Sequence, residues 1–177
     1  MRKRLEITPG CCILWALLLL VLPLRLILAA GVAALFHESC HVLAIRLTGG
    51  AVTGIAIGAG GTVMETAPMK PGQELLCALA GPVGSFLLVM AHRFFPLLSL
   101  CALVQGCFNL LPLYPLDGGR ALTCVLPSKW MKVIEMVTLL GLLALAVGIR
   151  MGIGPVLAWG MLAMRKIPCK DHRFGVE

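Results

Sequence analysis

The chain has 177 residues, 59% of them apolar and only 13% charged, with a formal net charge of +7. Soluble domains run near half apolar and a quarter charged, so this composition excludes an ordinary soluble domain, a disordered segment and a nucleic-acid-binding arm. Apolar stretches close to the length of a bilayer span recur from end to end. They predict one all-α polytopic membrane domain over residues 1–177, in contact with the lipid bilayer, with about six transmembrane helices.

In chain order, Arg2, Lys3 and Arg4 precede a first apolar run at 11–24, CCILWALLLLVLPL, and Pro23 and Arg25 separate it from a second at 26–47. A cleaved signal peptide is the rival reading of residues 1–30, because a basic start, an apolar core and small residues follow one another. The apolar sequence runs on past any cleavage point into another span, which favours a retained hairpin of two helices. Residues 48–72 change character: glycine clusters alternate with β-branched residues. This predicts a short membrane-associated β-hairpin with strands near 51–57 and 61–66 turning at Gly58–Gly61; a flexible loop is the alternative. No glycine-rich phosphate-binding pattern occurs. Further spans are expected at 74–91, 97–113, 133–149 and 152–164, the last being short. The basic tail 165–177 is expected at the inner membrane surface, where anionic lipid or a regulator could hold it.

The basic residues orient this series. With the N terminus inside, the inner segments hold Arg2, Lys3, Arg4, Arg46, Lys70, Arg120, Lys129, Lys132, Arg165, Lys166, Lys170 and Arg173, and the outer turns only Arg25, Arg93 and Arg150. The positive-inside rule then predicts both termini in the cytoplasm. The chain's 8 cysteines lie mostly in or beside apolar runs with no C-x-x-C spacing, so they read as small buried hydrophobes rather than a disulfide framework.

Ionisable side chains in a membrane helix are expensive and mark functional candidates. The second span has three within five residues, His37, Glu38 and His41, in the run H-E-S-C-H. Residues four apart on an α-helix are separated by about 400° of rotation and about 6 Å of rise, so the two imidazoles share one face. That is a two-toothed clamp for Zn²⁺, one ion per chain. Glu38, about 100° round the helix, can reach the place where a bound water would sit without itself ligating. Cys40, between the ligands, reads as packing.

A catalytic zinc site needs three protein ligands and an open position. His92, beside Arg93, reads as interfacial, and His172 lies in the polar tail. The chain has only two aspartates, Asp117 and Asp171. Asp117 stands just after the fourth span in N-L-L-P-L-Y-P-L-D-G-G-R, on the same side as the inner half of span two, and is the candidate third ligand; an Asp-Gly turn at the interface is the alternative. Pro112, Pro115, Gly118 and Gly119 are expected to end the helix between Asn109 and Asp117. Unwound chain at membrane depth is tolerated only where it is buried in protein or lines a cavity. Asn109 has donor and acceptor groups for a substrate carbonyl or extended substrate backbone; a helix-end cap or an interhelical hydrogen bond is the alternative.

On these residues the sequence resembles the site-2 protease family of intramembrane zinc metalloproteases. The matching pieces are H-E-S-C-H at 37–41, A-G-P at 80–82 and N-L-L-P-L-Y-P-L-D-G-G-R at 109–120, in that order, over roughly residues 26–125. The resemblance implies His37, His41 and Asp117 as zinc ligands, Glu38 as catalytic base and Asn109 as a substrate-binding residue. It also implies membrane-anchored protein substrates, possible membrane regulators, and a hairpin at 51–66 that pairs with unwound substrate. The size and the Y-P-L-D-G-G-R wording are closest to the bacterial sporulation-type proteases that release a membrane-tethered sigma factor. One departure stands out: the family often has Asn four residues after the glycine of A-G-P, where this chain has Ser85. Serine can still hydrogen-bond, with a shorter reach, but Ala80/Gly84 and Gly81/Ser85 are small-xxx-small pairs, so close helix packing is the favoured reading of Ser85.

Under that reading Glu38 takes the proton of the attacking water, and zinc polarises the scissile carbonyl. His37 lies ten residues from the inner end of its span, about 15 Å deep at 1.5 Å per residue, so a polar inlet from the cytoplasm is required. Two rivals remain. A zinc-stabilised scaffold would have no use for Glu38, and a metal transporter would be expected to show internal repeats and several ionisable groups along a path.

Overall fold

The structure, a computed structural model, describes residues 4–58 and 61–148. Its elements run β1 (Arg4–Ile7), α1 (Pro9–Val21), α2 (Leu24–Leu47), β2 (Val52–Gly58), β3 (Gly61–Thr66), α3 (Pro71–Val89), a 3-10 turn (Met90–Arg93), α4 (Pro96–Asn109), α5 (Asp117–Thr123) and α6 (Ser128–Gly148). The chain divides into two compact units, Met1–Thr138 and Leu139–Glu177. The described part of the second unit is the C-terminal end of α6, residues 139–148.

Proline and glycine set the helix limits. Pro9 opens α1 at its first turn, where a missing N–H costs nothing. Leu22, extended because Pro23 follows it, ends α1 before α2 begins. At the other end of α2, Thr48 Oγ1 donates to the Ala44 and Ile45 carbonyls. Gly49 then turns at φ +78°, and the Gly49 and Gly50 N–H groups donate back to Arg46 and Ile45. This is a glycine C-cap that takes up the last orphan carbonyls. Gln73 joins the next helix to this corner: its Oε1 accepts from Lys70 N–H at the start of α3, and its Nε2 donates to the Thr48 carbonyl.

Burial on α2 follows one stripe. Ala33, His37, His41 and Ile45, each four residues apart, are buried, with Ile27 nearer the start. That stripe packs on α3, which faces it with Cys77, Ala78, Gly81, Pro82, Gly84 and Ser85. Such small residues let two backbones approach closely. Helix α4 packs on both α2 and α3, and α5 packs on α3. Away from these contacts the helices are apolar and exposed; Leu20 (83%), Leu35 (70%), Leu47 (79%) and Met90 (78%) illustrate it. Water does not favour so much continuous apolar surface, and lipid does. Among the described residues two helices, Leu24–Leu47 and Pro71–Arg93, are long and apolar enough to cross a membrane, and Cys12–Val21 and Pro96–Asn109 are shorter apolar helices.

Several expectations change. The fourth span, expected over 97–113, is helical only to Asn109. Residues 110–113 remain apolar, but Pro112 and Pro115 deny the backbone the donors that a continued helix needs. Gly118 and Gly119, expected to break helical structure, lie inside α5. The hairpin forms, with β2 antiparallel to β3 and Gly58 paired with Gly61, but it is the larger part of a three-stranded sheet. The unexpected third strand is β1, parallel to β2 from Arg4↔Gly54 to Ile7↔Ile57. The all-α description therefore needs that small sheet added to it. The expected sixth span at 152–164 and the tail 165–177, with His172, lie outside the described residues.

Candidate metal centre

The buried stripe of α2 brings His37 and His41 together as the four-residue spacing requires. Their ring centroids are 4.8 Å apart and their planes lie at 77°. Asp117, the first residue of α5, meets both. Its Oδ2 is 3.0 Å from His37 Nε2 and 3.1 Å from His41 Nε2, and the two Nε2 atoms are 3.1 Å apart. All three side chains are buried, at 1%, 7% and 7% exposure for His37, His41 and Asp117. Among the described residues no other His, Cys, Asp and Glu side chains form a cluster able to hold a metal ion.

The irregular stretch after α4 is folded so that Asp117 can reach in. Its own Leu113 and Leu116 are buried and anchor it. The first turn of α5 presses on the preceding backbone: a Cβ on Gly118 would strike the Leu110 carbonyl, and one on Gly119 the Leu113 carbonyl and Tyr114 N. The glycine pair after Asp117 thus serves close approach of two backbone segments rather than helix breaking.

The other face of each imidazole is tied to α3. His41 Nδ1–H donates to the Cys77 carbonyl at 2.7 Å. A carbonyl only accepts, so this bond fixes the proton on Nδ1 and leaves a lone pair on Nε2 of the neutral ring. His37 Nδ1 lies 2.8 Å from Ser85 Oγ, and donation to that hydroxyl leaves its Nε2 a lone pair too. Two imidazole lone pairs and a carboxylate oxygen then converge in a nearly equilateral triangle. Acceptors so arranged repel one another, and a single bridging proton relieves only one side. One cation relieves all three. Ligand atoms about 2.0–2.1 Å from a tetrahedral zinc stand about 3.3–3.4 Å apart, close to the 3.0–3.1 Å seen here. The donor set fits zinc with one corner left open.

Glu38 is half-buried beside His37, and its carboxylate makes no hydrogen bond among the described residues. Its ionisable neighbours are His41, His37, Asp117 and Arg120. Arg120 in turn reaches Glu74 of α3 at 3.9 Å.

Asn109 is not joined to this cluster by a hydrogen bond. Its Nδ2 donates to the Gln105 carbonyl at 3.2 Å, in its own helix. Cys40 packs against Gly84, where a Cβ would meet its Sγ, and stands outside the ligand triangle. The exposed His92 sits in the 3-10 turn away from it. Two contributors carry no signal in the sequence: the closeness of Gly81, against which both imidazoles rest, and the Cys77 carbonyl. The small-xxx-small pattern does show α3 approaching α2 closely. Ser85 takes both of its possible roles: it packs, as the sequence favours, and it also hydrogen-bonds His37.

No protein-family model matches the chain. It is homologous to a zinc metalloprotease of Methanocaldococcus jannaschii, at 32% identity over 133 residues, covering 67% of this chain and 37% of that protein. The chain therefore spans a little over a third of that relative's length. In fold it is similar to the site-2 protease from Methanocaldococcus jannaschii, with a TM-score of 0.64 and 23% identity over 90% of this chain and 87% of that one.

Proposed function

We propose that this chain is an intramembrane zinc metalloprotease of the site-2 protease family, hydrolysing peptide bonds in or near the transmembrane segments of membrane-anchored proteins. The observation that carries this reading is the convergence of His37, His41 and Asp117 on one point, with Glu38 next to His37 in a helix of membrane length. Homology to a zinc metalloprotease supports it.

In this reading His37, His41 and Asp117 hold one Zn²⁺, which when bound supplies a Lewis acid for the scissile carbonyl and acidifies water. Glu38 accepts the proton of the attacking water and hands it to the leaving amine. Asn109 binds the substrate backbone through its amide. A transmembrane substrate helix hides its own peptide bonds and must unwind; the free edge of β3 takes up the released backbone groups by strand addition. Both termini lie in the cytoplasm and the site opens to that side, in keeping with the basic residues. Regulated release of a membrane-tethered transcription factor, as in the sporulation-type proteases, is the finer assignment, and it rests on the wording of residues 114–120.

The test is Glu38→Gln in chain purified and reconstituted with a single-span substrate protein. Cleavage should fall by at least about 10²-fold while bound zinc is unchanged. Cleavage at the wild-type rate would remove Glu38 as the base. Zinc binding with no cleavage by the wild type would leave the scaffold, and zinc flux into sealed vesicles would leave the transporter.

A further inference from the structure

Ser85 is completely buried on α3, at 0% exposure, and its Oγ is 2.8 Å from Nδ1 of His37, itself 1% exposed. A buried hydroxyl needs a partner, and this one faces the ring of a candidate ligand. On the opposite side of the same ring, Nε2 faces Asp117 Oδ2. We propose that Ser85 is a positioning residue for the metal centre: it accepts the Nδ1–H of His37, fixing the ring's tautomer and rotation so that the Nε2 lone pair points at the ligand triangle.

The inference rests on the zinc reading and extends it. Imidazole can carry its proton on either nitrogen, and a half-turn about χ2 puts Cε1 where Nε2 stood. Without an acceptor at Nδ1, the first change turns an N–H and the second a C–H toward His41 and Asp117, and each removes one ligand. His41 is secured in the same way by the Cys77 carbonyl, a backbone group that substitution cannot delete. His37 depends on a side chain. Its partner therefore has a consequence that packing alone would not give, and outer-shell groups of this kind govern affinity in other metal sites.

The experiment measures zinc affinity by chelator competition, and the absorption spectrum of the Co²⁺-loaded protein, in full-length chain in detergent. Ser85→Ala deletes the acceptor. Ser85→Cys keeps the shape with a weaker acceptor. Ser99→Ala removes another buried serine at the α3–α4 contact, one that donates to the Leu88 carbonyl and touches no ligand. Ser85→Ala should bind zinc about 10–100-fold more weakly and shift the cobalt bands, with Ser85→Cys between it and the wild type. Ser99→Ala should match the wild type in both. Wild-type affinity and spectrum in Ser85→Ala, or an equal loss in Ser99→Ala, overturns the positioning role while leaving the zinc reading intact. A wild-type chain that binds neither metal overturns both.

Discussion

Gly81 of α3 lies directly against the ring of His41. A Cβ built on it would overlap His41 Nε2 and come within 2.6 Å of His37 Nε2. No other residue type fits without moving the two imidazoles. Gly81→Ala should therefore displace the imidazole pair at an overpacking cost of about 1–3 kcal/mol, and the purified variant should hold far less zinc than the wild type. Gly31→Ala, on α2 with no atom within 4 Å of the added Cβ, is the matched control and should keep its zinc. Full zinc content in Gly81→Ala would mean that the pair is free to move aside.

Asp117→Asn replaces the one anionic member of the triangle by a neutral amide of nearly the same shape. Direct ligation predicts a loss of zinc affinity greater than the about 10–100-fold typical of an outer-shell change, read as zinc per chain after dialysis against a weak chelator. Retention equal to the wild type would take Asp117 out of the ligand set.

The centre was legible in the sequence because its strongest signal is local: His37 and His41 are brought together by one helical turn, and polar groups in an apolar helix stand out against it. Asp117 was legible as one of only two aspartates, on the expected side. What was missed is non-local or hidden by an ambiguous residue type. Strand β1 is four residues, RLEI, within a basic start, and its partner lies some fifty residues on; no local periodicity announces a pairing so distant. Hydropathy alone carries α4 past Asn109 because it reports preference for lipid, whereas Pro112 and Pro115 govern the backbone. Gly118 and Gly119 have the usual pattern of helix breakers. Here close approach to residues 110–114 outweighs it. Ser85 looked like a small packing residue because size and hydrogen-bonding capacity arrive together in serine.

Gly119→Ala tests that close approach. The added Cβ would meet backbone atoms of Leu113 and Tyr114, which cannot swing aside as a flexible side chain can. The first turn of α5 should back away, taking Asp117 with it. We expect a lower thermal midpoint, by the equivalent of about 1–3 kcal/mol, together with reduced zinc content. A midpoint and zinc content both unchanged would show that the backbone has slack at this point.

The loop that carries Asp117 is also tied to α6. Tyr114 N–H donates to Glu135 Oε1 at 3.1 Å, and the next residue, Pro115, has no N–H to offer. A carboxylate on an apolar helix is costly, about 2.5–3.5 kcal/mol at the centre of a span on insertion scales, so Glu135→Leu should be welcome to the lipid. If the carboxylate holds the loop, the substitution should nonetheless lower the thermal midpoint and speed zinc release, because it removes the acceptor of the Tyr114 N–H, an exposed hydrogen bond worth about 0.5–1.5 kcal/mol. Glu135→Gln keeps Oε1 as an acceptor and should stay close to the wild type in both measurements. The two substitutions separate charge from hydrogen bonding: loss in both variants points to the charge, and loss in Leu alone to the bond. A Leu variant more stable than the wild type, with unchanged zinc release, would show that α6 does not hold Asp117 in place through this contact.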